Sequence, residues 1–306
     1  MLKTVRRIQM IRSIDFIYKN GSRNHNEDAY VINRENHIFA AIDGATGLGG
    51  LSGDIASNII KQSLEKVSER SLREKVEEGN TKLRLKTEEL KNLPLTSISK
   101  LERSTCSLAA IQLKGNQYLE YVSYGDCMII LQYKDQSIRI VTHDHVDVLD
   151  TQAIKIVHRM LLEEETGKGI DLNQLPEEKI LSLLQEKKDK IKILLHENRS
   201  KLNTSEGYGI IDGSEEALNF MEYGVIPLIN IKQILLLTDG LKMHTHQQDN
   251  KTHKNSWEQS ATIAFNHGIN ELYKQIIQIE KNDPACIEYP RLKKHDDKTG
   301  ILLTFE

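Results

Sequence analysis

The chain has 306 residues, with 41 Lys and Arg against 44 Asp and Glu, a formal net charge of −3. At roughly 150 residues per domain this length fits two domains, or one of roughly 250 residues with insertions, and either can bury a real core. The near-neutral balance argues against a dedicated nucleic-acid binder and against a polybasic membrane anchor. Charged residues at 28% and hydrophobic residues at 39% describe a polar chain that still folds.

Three cysteines, Cys106, Cys127 and Cys286, are odd in number and far apart, which argues against a disulfide framework and a cysteine-rich zinc site. A reducing cytoplasm is the expected compartment. The basic N-terminus carries no apolar run of the secretory kind, and no stretch approaches the roughly 20 apolar residues of a membrane span.

In chain order, Ile14–Tyr18 reads as a strand with Ile14, Phe16 and Tyr18 on one face. Ala29–Ile32 and His37–Ile42 form a hairpin across the polar turn Asn33–Asn36. A helix starts near Asp54, with Ile55, Ile59, Ile60, Leu64 and Val67 at helical spacing. A charge-rich second helix covers 71–93 and ends at Pro94. Four strands follow, at 104–113, 118–124, 127–133 and 137–141, joined by short turns that indicate antiparallel pairing. From about 145 to 205 the pattern is helical and highly charged, an insertion in one domain spanning 1–306. Strands resume at 207–211 and 231–238. The segment 257–279 reads as one helix, and 300–305 as the closing strand.

Acidic residues recur where strands run into turns: Glu27-Asp28, Asp43-Gly44, Gly125-Asp126, Asp239-Gly240 and Asp296-Asp297. Each Asp-Gly alone is an ordinary turn. Together they have the character of a metal site, because a strand fixes the carboxylate's direction and glycine lets ligand and backbone approach closely. An all-oxygen donor set favours Mg²⁺ or Mn²⁺ over zinc. Two such ions about 3.5–4 Å apart can activate water for in-line attack on phosphorus.

The order of these motifs resembles the metal-dependent protein phosphatase 2C family, in its bacterial style. Arg23 followed four residues later by Glu27-Asp28 is similar to the family's opening motif, and Phe39–Gly44 with Gly49-Gly50 and a helix behind it is similar to the second. Ser104-Thr105, Tyr124-Gly125-Asp126, Leu235–Gly240 and Asp296-Asp297-Lys298-Thr299 resemble the later ones. The resemblance covers roughly residues 12–305. It implies an α+β, four-layer α-β-β-α sandwich of two antiparallel sheets flanked by helices, with the insertion at 145–205 as a flap beside the site. It also implies a serine/threonine protein phosphatase that holds two Mn²⁺ or Mg²⁺ ions and attacks phosphomonoesters with a metal-bridging water. By that resemblance Asp43 bridges the ions. Gly44 through its carbonyl and Glu27, directly or through water, serve one; Asp239 and Asp296 serve the other. Asp28 supports them and Arg23 grips the phosphate, its planar fork matching two phosphate oxygens. Asp297 is the alternative to Asp296 one register on; the spacing to Thr299 favours Asp296. The implied partner is a phosphoserine or phosphothreonine protein, with no nucleic acid and no membrane.

Three departures stand out. Ala45 replaces a histidine proposed in many members as general acid, which leaves His295 or water as the proton source. A third metal site would use Asp126 and Asp239, but its last position is Met243, a poor ligand for hard cations, so a third ion is expected to be weak or absent. Cys127-Met128 follows Gly125-Asp126 where many members have Ser-Arg. These departures motivate a rival reading, a catalytically weak pseudophosphatase that binds a phosphoprotein or other partner. A phosphatase of small phosphometabolites is a second rival. His143-Asp144-His145 and His244-Thr245-His246 have H-x-H spacing but no further zinc-ligand pattern.

Overall fold

The structure is a computed structural model that describes residues 11–22, 25–249 and 253–306. Among the described residues, ten strands form two five-stranded antiparallel sheets. The first contains β2 (Ala29–Asn33), β3 (Ile38–Ala45), β4 (Thr105–Lys114), β5 (Tyr118–Tyr124) and β8 (Glu222–Pro227), in the order β2-β3-β4-β5-β8. The second runs β1-β10-β9-β6-β7, from β1 (Ile11–Lys19), β10 (Lys298–Phe305), β9 (Ile231–Leu237), β6 (Met128–Tyr133) and β7 (Ile138–Ile140).

The strands read as near-continuous apolar runs because both of their faces are buried. Along β3, Phe39 and Ala41 turn into the space between the sheets, where they meet Ile129, Leu236 and Ile301 of the facing sheet. Ile38, Ala40 and Ile42 turn the other way, against α1 (Gly53–Glu65) and α2 (Leu72–Lys91). On the second sheet, Ile130, Leu235 and Leu302 face outward onto α6 (His253–His267) and α7 (Ile269–Asn282). The result is the four-layer α-β-β-α sandwich.

Local chemistry sets the helix limits. Ser71 and Glu74 form a capping box at the start of α2, and Asn92 in the left-handed region ends it. Between β7 and β8 lie α3 (Asp147–Lys168), α4 (Glu177–Lys190) and α5 (Lys192–Ser200), which share a core of their own. Among the described residues, no helix is long and apolar enough to cross a membrane.

Several expectations are corrected. The turn at Gly125-Asp126 is not a hairpin: β5 and β6 belong to different sheets, and this turn carries the chain from one to the other. Residues 207–211 are not a strand. Ile211 makes an isolated bridge to Cys106, and the strand lies later, at β8. The helix expected over 257–279 is two, broken at Gly268, whose φ of +87° and ψ of 158° no other residue adopts readily. Val67 lies beyond α1 and is exposed. Phe16 and Tyr18, on one face of β1 as expected, pack with tilted rings against Tyr30. All three cysteines are buried and unpaired.

Candidate functional site

The acidic strand ends meet at one end of the sandwich. Asp43 has the same parity on β3 as Phe39 and Ala41, so the alternation that buries those side chains aims its carboxylate at the gap between the sheets. Asp126 sits in the turn that switches sheets, Asp239 follows β9, and Asp296 precedes β10. Asp126, Asp239 and Asp296 line a cleft of about 610 Å³, and Asp43 lies close enough to Asp239 for their charges to act on one another.

Their electrostatics show the convergence. Burial pushes Asp43 well above the ordinary carboxylate range, and the charges of Asp239, Asp28 and Asp126 push it further. Asp126 is raised by burial and by Asp239 and Asp144. Asp239 is raised by burial and by Asp296. Carboxylates that raise one another in this way form a site of excess negative charge, which a hard divalent cation relieves. Asp126 Oδ1 is buried with no hydrogen-bond partner. The oxygen-only donor set and this orphaned oxygen fit Mg²⁺ or Mn²⁺. Among the described residues, no three His, Cys, Asp or Glu side chains close into a metal-holding cage.

The supporting residues are specific. Asp28 is buried and its Oδ2 accepts from Thr238 Oγ1 at 3.0 Å; burial, with Asp296, Asp297 and Asp239 nearby, raises it well above its ordinary range. Gly44 is a close crossing: a Cβ there would lie 2.2 Å from the carbonyl oxygen of Glu27 and 2.7 Å from that of Gly53. Glu27 Oε1 accepts from Thr46 Oγ1, from Ser52 Oγ at 3.2 Å and from Gly53 N at 3.2 Å, so it is engaged at the start of α1. Arg23 lies outside the described residues.

Asp296 and Asp297 divide sharply. Asp297 accepts from Gly21 N with Oδ1 at 2.6 Å and from Glu27 N with Oδ2 at 2.8 Å. Its carboxylate is thus a backbone pin. Asp296 instead lines the cleft, where both its oxygens accept from Lys293 Nζ at 2.7 Å. Burial pulls Asp296 upward, but the ammonium outweighs it and holds the carboxyl below its ordinary range.

Asp144, Asp150, Lys242 and Lys293 line the cleft and were not among the predicted site residues. Asp144 Oδ2 accepts from Lys242 Nζ at 2.8 Å and from Trp257 Nε1 at 2.9 Å, while its Oδ1 caps α3 through Asp147 N at 3.0 Å. Lys242 also holds Asp147 Oδ1 at 2.8 Å, so it fastens the first turn of the helical insertion to the site. Asp150, one turn further along α3, is pushed up to about 7 by burial, with Asp239 and Asp144 adding. Asp144 hid inside the H-x-H pattern; the histidines beside it meet edge to face, ring centroids 5.0 Å apart, and His145 Nε2 also lies 3.9 Å from Glu222. His244 turns to the buried Glu280 at 3.2 Å, which His295 also contacts at 2.7 Å. Met243 packs at the edge of the core beneath α6 and α7.

No protein-family profile and no curated protein matches the chain. Solved structures do. It is similar to the Mycobacterium tuberculosis serine/threonine phosphatase PstP/Ppp at 18% identity and TM-score 0.56, over 97% of this chain and 100% of that one. The catalytic domain of PstP in complex with two manganese ions matches at 17% identity and TM-score 0.54, over 96% and 97%. Stp1 from Staphylococcus aureus matches at 16% identity and TM-score 0.52, over 97% and 96%. At these identities the likeness is one of architecture, and by it the chain has the protein phosphatase 2C fold of the bacterial serine/threonine phosphatases.

Proposed function

We propose that the protein is a metal-dependent serine/threonine protein phosphatase that uses two Mn²⁺ or Mg²⁺ ions. The observation that carries this reading is the meeting of Asp43, Asp126, Asp239 and Asp296, from ends of both sheets, at one cleft of a fold shared with such phosphatases. Bound there, the ions would supply positive charge that draws water and a phosphoryl group together and offsets charge developing on phosphorus.

The chain's own residues do the rest. Asp43, Asp239 and Asp296 are the carboxylates that would hold the ions, with the Gly44 carbonyl beside Asp43. Glu27, held by Thr46, Ser52 and Gly53, would serve an ion directly or through water. Asp28 and Thr238 steady the strand ends behind them. Asp297 fixes the segment that leads into Glu27. Arg23, a few residues before that pin, is the proposed phosphate grip. The cleft is open to solvent beside the helical insertion, which suits a phosphorylated side chain presented on a protein.

The test is hydrolysis of a phosphothreonine peptide with Mn²⁺, with Mg²⁺ and with EDTA, alongside Asp43→Asn. Metal-dependent turnover that the variant loses is the expected result. Metal binding without turnover on any phosphopeptide would replace this reading with the pseudophosphatase, which the Lys293 ammonium on Asp296 favours.

A further inference from the structure

Lys293 brings a positive charge into the carboxylate cluster from within the chain. Its Nζ takes both oxygens of Asp296, and the charges of Asp239 and Asp43 also act on it. Lys298, the nearby alternative, is otherwise engaged: its Nζ bonds Glu280 at 3.0 Å and the Asp296 carbonyl at 2.9 Å. A divalent cation about 2.1 Å from the Asp296 oxygens would stand no more than about 5 Å from the ammonium. The ammonium holds both oxygens and repels a second positive charge at that separation, so cation and ammonium compete for Asp296. Lys293 can leave, because its side chain is 50% exposed and its stem is long and flexible.

We propose that Lys293 is a displaceable internal cation that competes with divalent metal for Asp296, so that metal loads by exchange with the lysine ammonium. The proposal rests on the reading of Asp296 as a metal ligand. It has two consequences. Metal affinity is lower than the carboxylates alone would give. The carboxylate cluster is also partly neutralised before metal arrives, which keeps the folded chain stable in that state.

The experiment is calorimetric titration with Mn²⁺ of the wild type, Lys293→Met, Lys293→Gln and Lys294→Met. Lys294 pairs with Glu177, away from the carboxylates, and so controls for the loss of one nearby charge. Both Lys293 variants should bind Mn²⁺ about fivefold more tightly, the worth of one partly exposed ion pair. Lys294→Met should stay within about twofold, because its ammonium pairs with Glu177 and with no carboxylate of the cleft. In EDTA the Lys293 variants should melt at lower temperature than the wild type and recover on adding Mn²⁺. Circular dichroism confirms that each variant folds. Unchanged affinity in the Lys293 variants, or equal tightening in Lys294→Met, overturns the competition while leaving the metal reading intact. No Mn²⁺ binding by any of the four proteins overturns both.

Discussion

Adjacent aspartates with opposite jobs give the sharpest test of the site. Asp297→Asn leaves one side-chain oxygen and replaces the other with an amide that cannot accept. Either Gly21 N or Glu27 N, now 2.6 and 2.8 Å from a carboxylate oxygen, then faces a donor. A charge-assisted bond of this kind contributes about 1.5–3 kcal/mol, and a buried N–H without an acceptor adds to the loss, so about 3 kcal/mol is expected. Asp296→Asn removes a partly exposed pair with Lys293, 50% and 29% exposed at the two side chains. Such pairs contribute under about 1 kcal/mol. Urea unfolding in EDTA reads both, with the sole tryptophan, buried Trp257, as the fluorescent probe. Calorimetry on the same samples should show Mn²⁺ binding impaired in Asp296→Asn and retained in folded Asp297→Asn. A loss below about 1 kcal/mol in Asp297→Asn, or equal losses in the two variants, refutes this division of labour.

Two further outcomes follow from the geometry. Asp150 has its pKa raised from 3.8 to about 7, so the folded chain binds its proton more tightly than the unfolded chain. That contribution is full below the unfolded value and is lost as pH rises through about 7. In EDTA, stability should therefore fall from acid toward neutral pH, and Asp150→Asn should flatten the melting-temperature profile in that window; an identical profile refutes the shift. Gly268→Ala tests the break between α6 and α7. An added Cβ meets nothing within 4 Å, so the variant isolates backbone strain. It should lower the unfolding free energy by about 2 kcal/mol, and a neutral result would mean that the chain relaxes there freely.

Much of the architecture was legible because short apolar runs bounded by turns report strands buried on both faces. Where that signal fails, the reason is local. Residues 207–211 look like a strand because Ile210 and Ile211 are buried, yet they are irregular chain tied by one bridge. The edge strand β8 was missed because Tyr223 and Val225 are exposed, so it lacks the apolar pattern of its neighbours. Gly268 resembled a tolerable helix glycine, and only its backbone angles mark the break. In the site, the aspartates beside glycine announced themselves. Lys242, Lys293 and Asp150 did not, since their roles depend on where α3 and the segment before β10 are packed. No local pattern encodes that placement.

The Gly125-Asp126 turn changes sheets at the end where Asp43 leaves one sheet and Asp239 the other. The spacing of these carboxylates is therefore a measure of how the sheets slide and tilt on one another. Phe39, Ile111, Ile129 and Leu236, packed in the layer between them, set that alignment. The oily middle of the molecule thus acts as a gauge block for its acidic end. A volume change there is transmitted as a change in distance between oxygens that those side chains never touch.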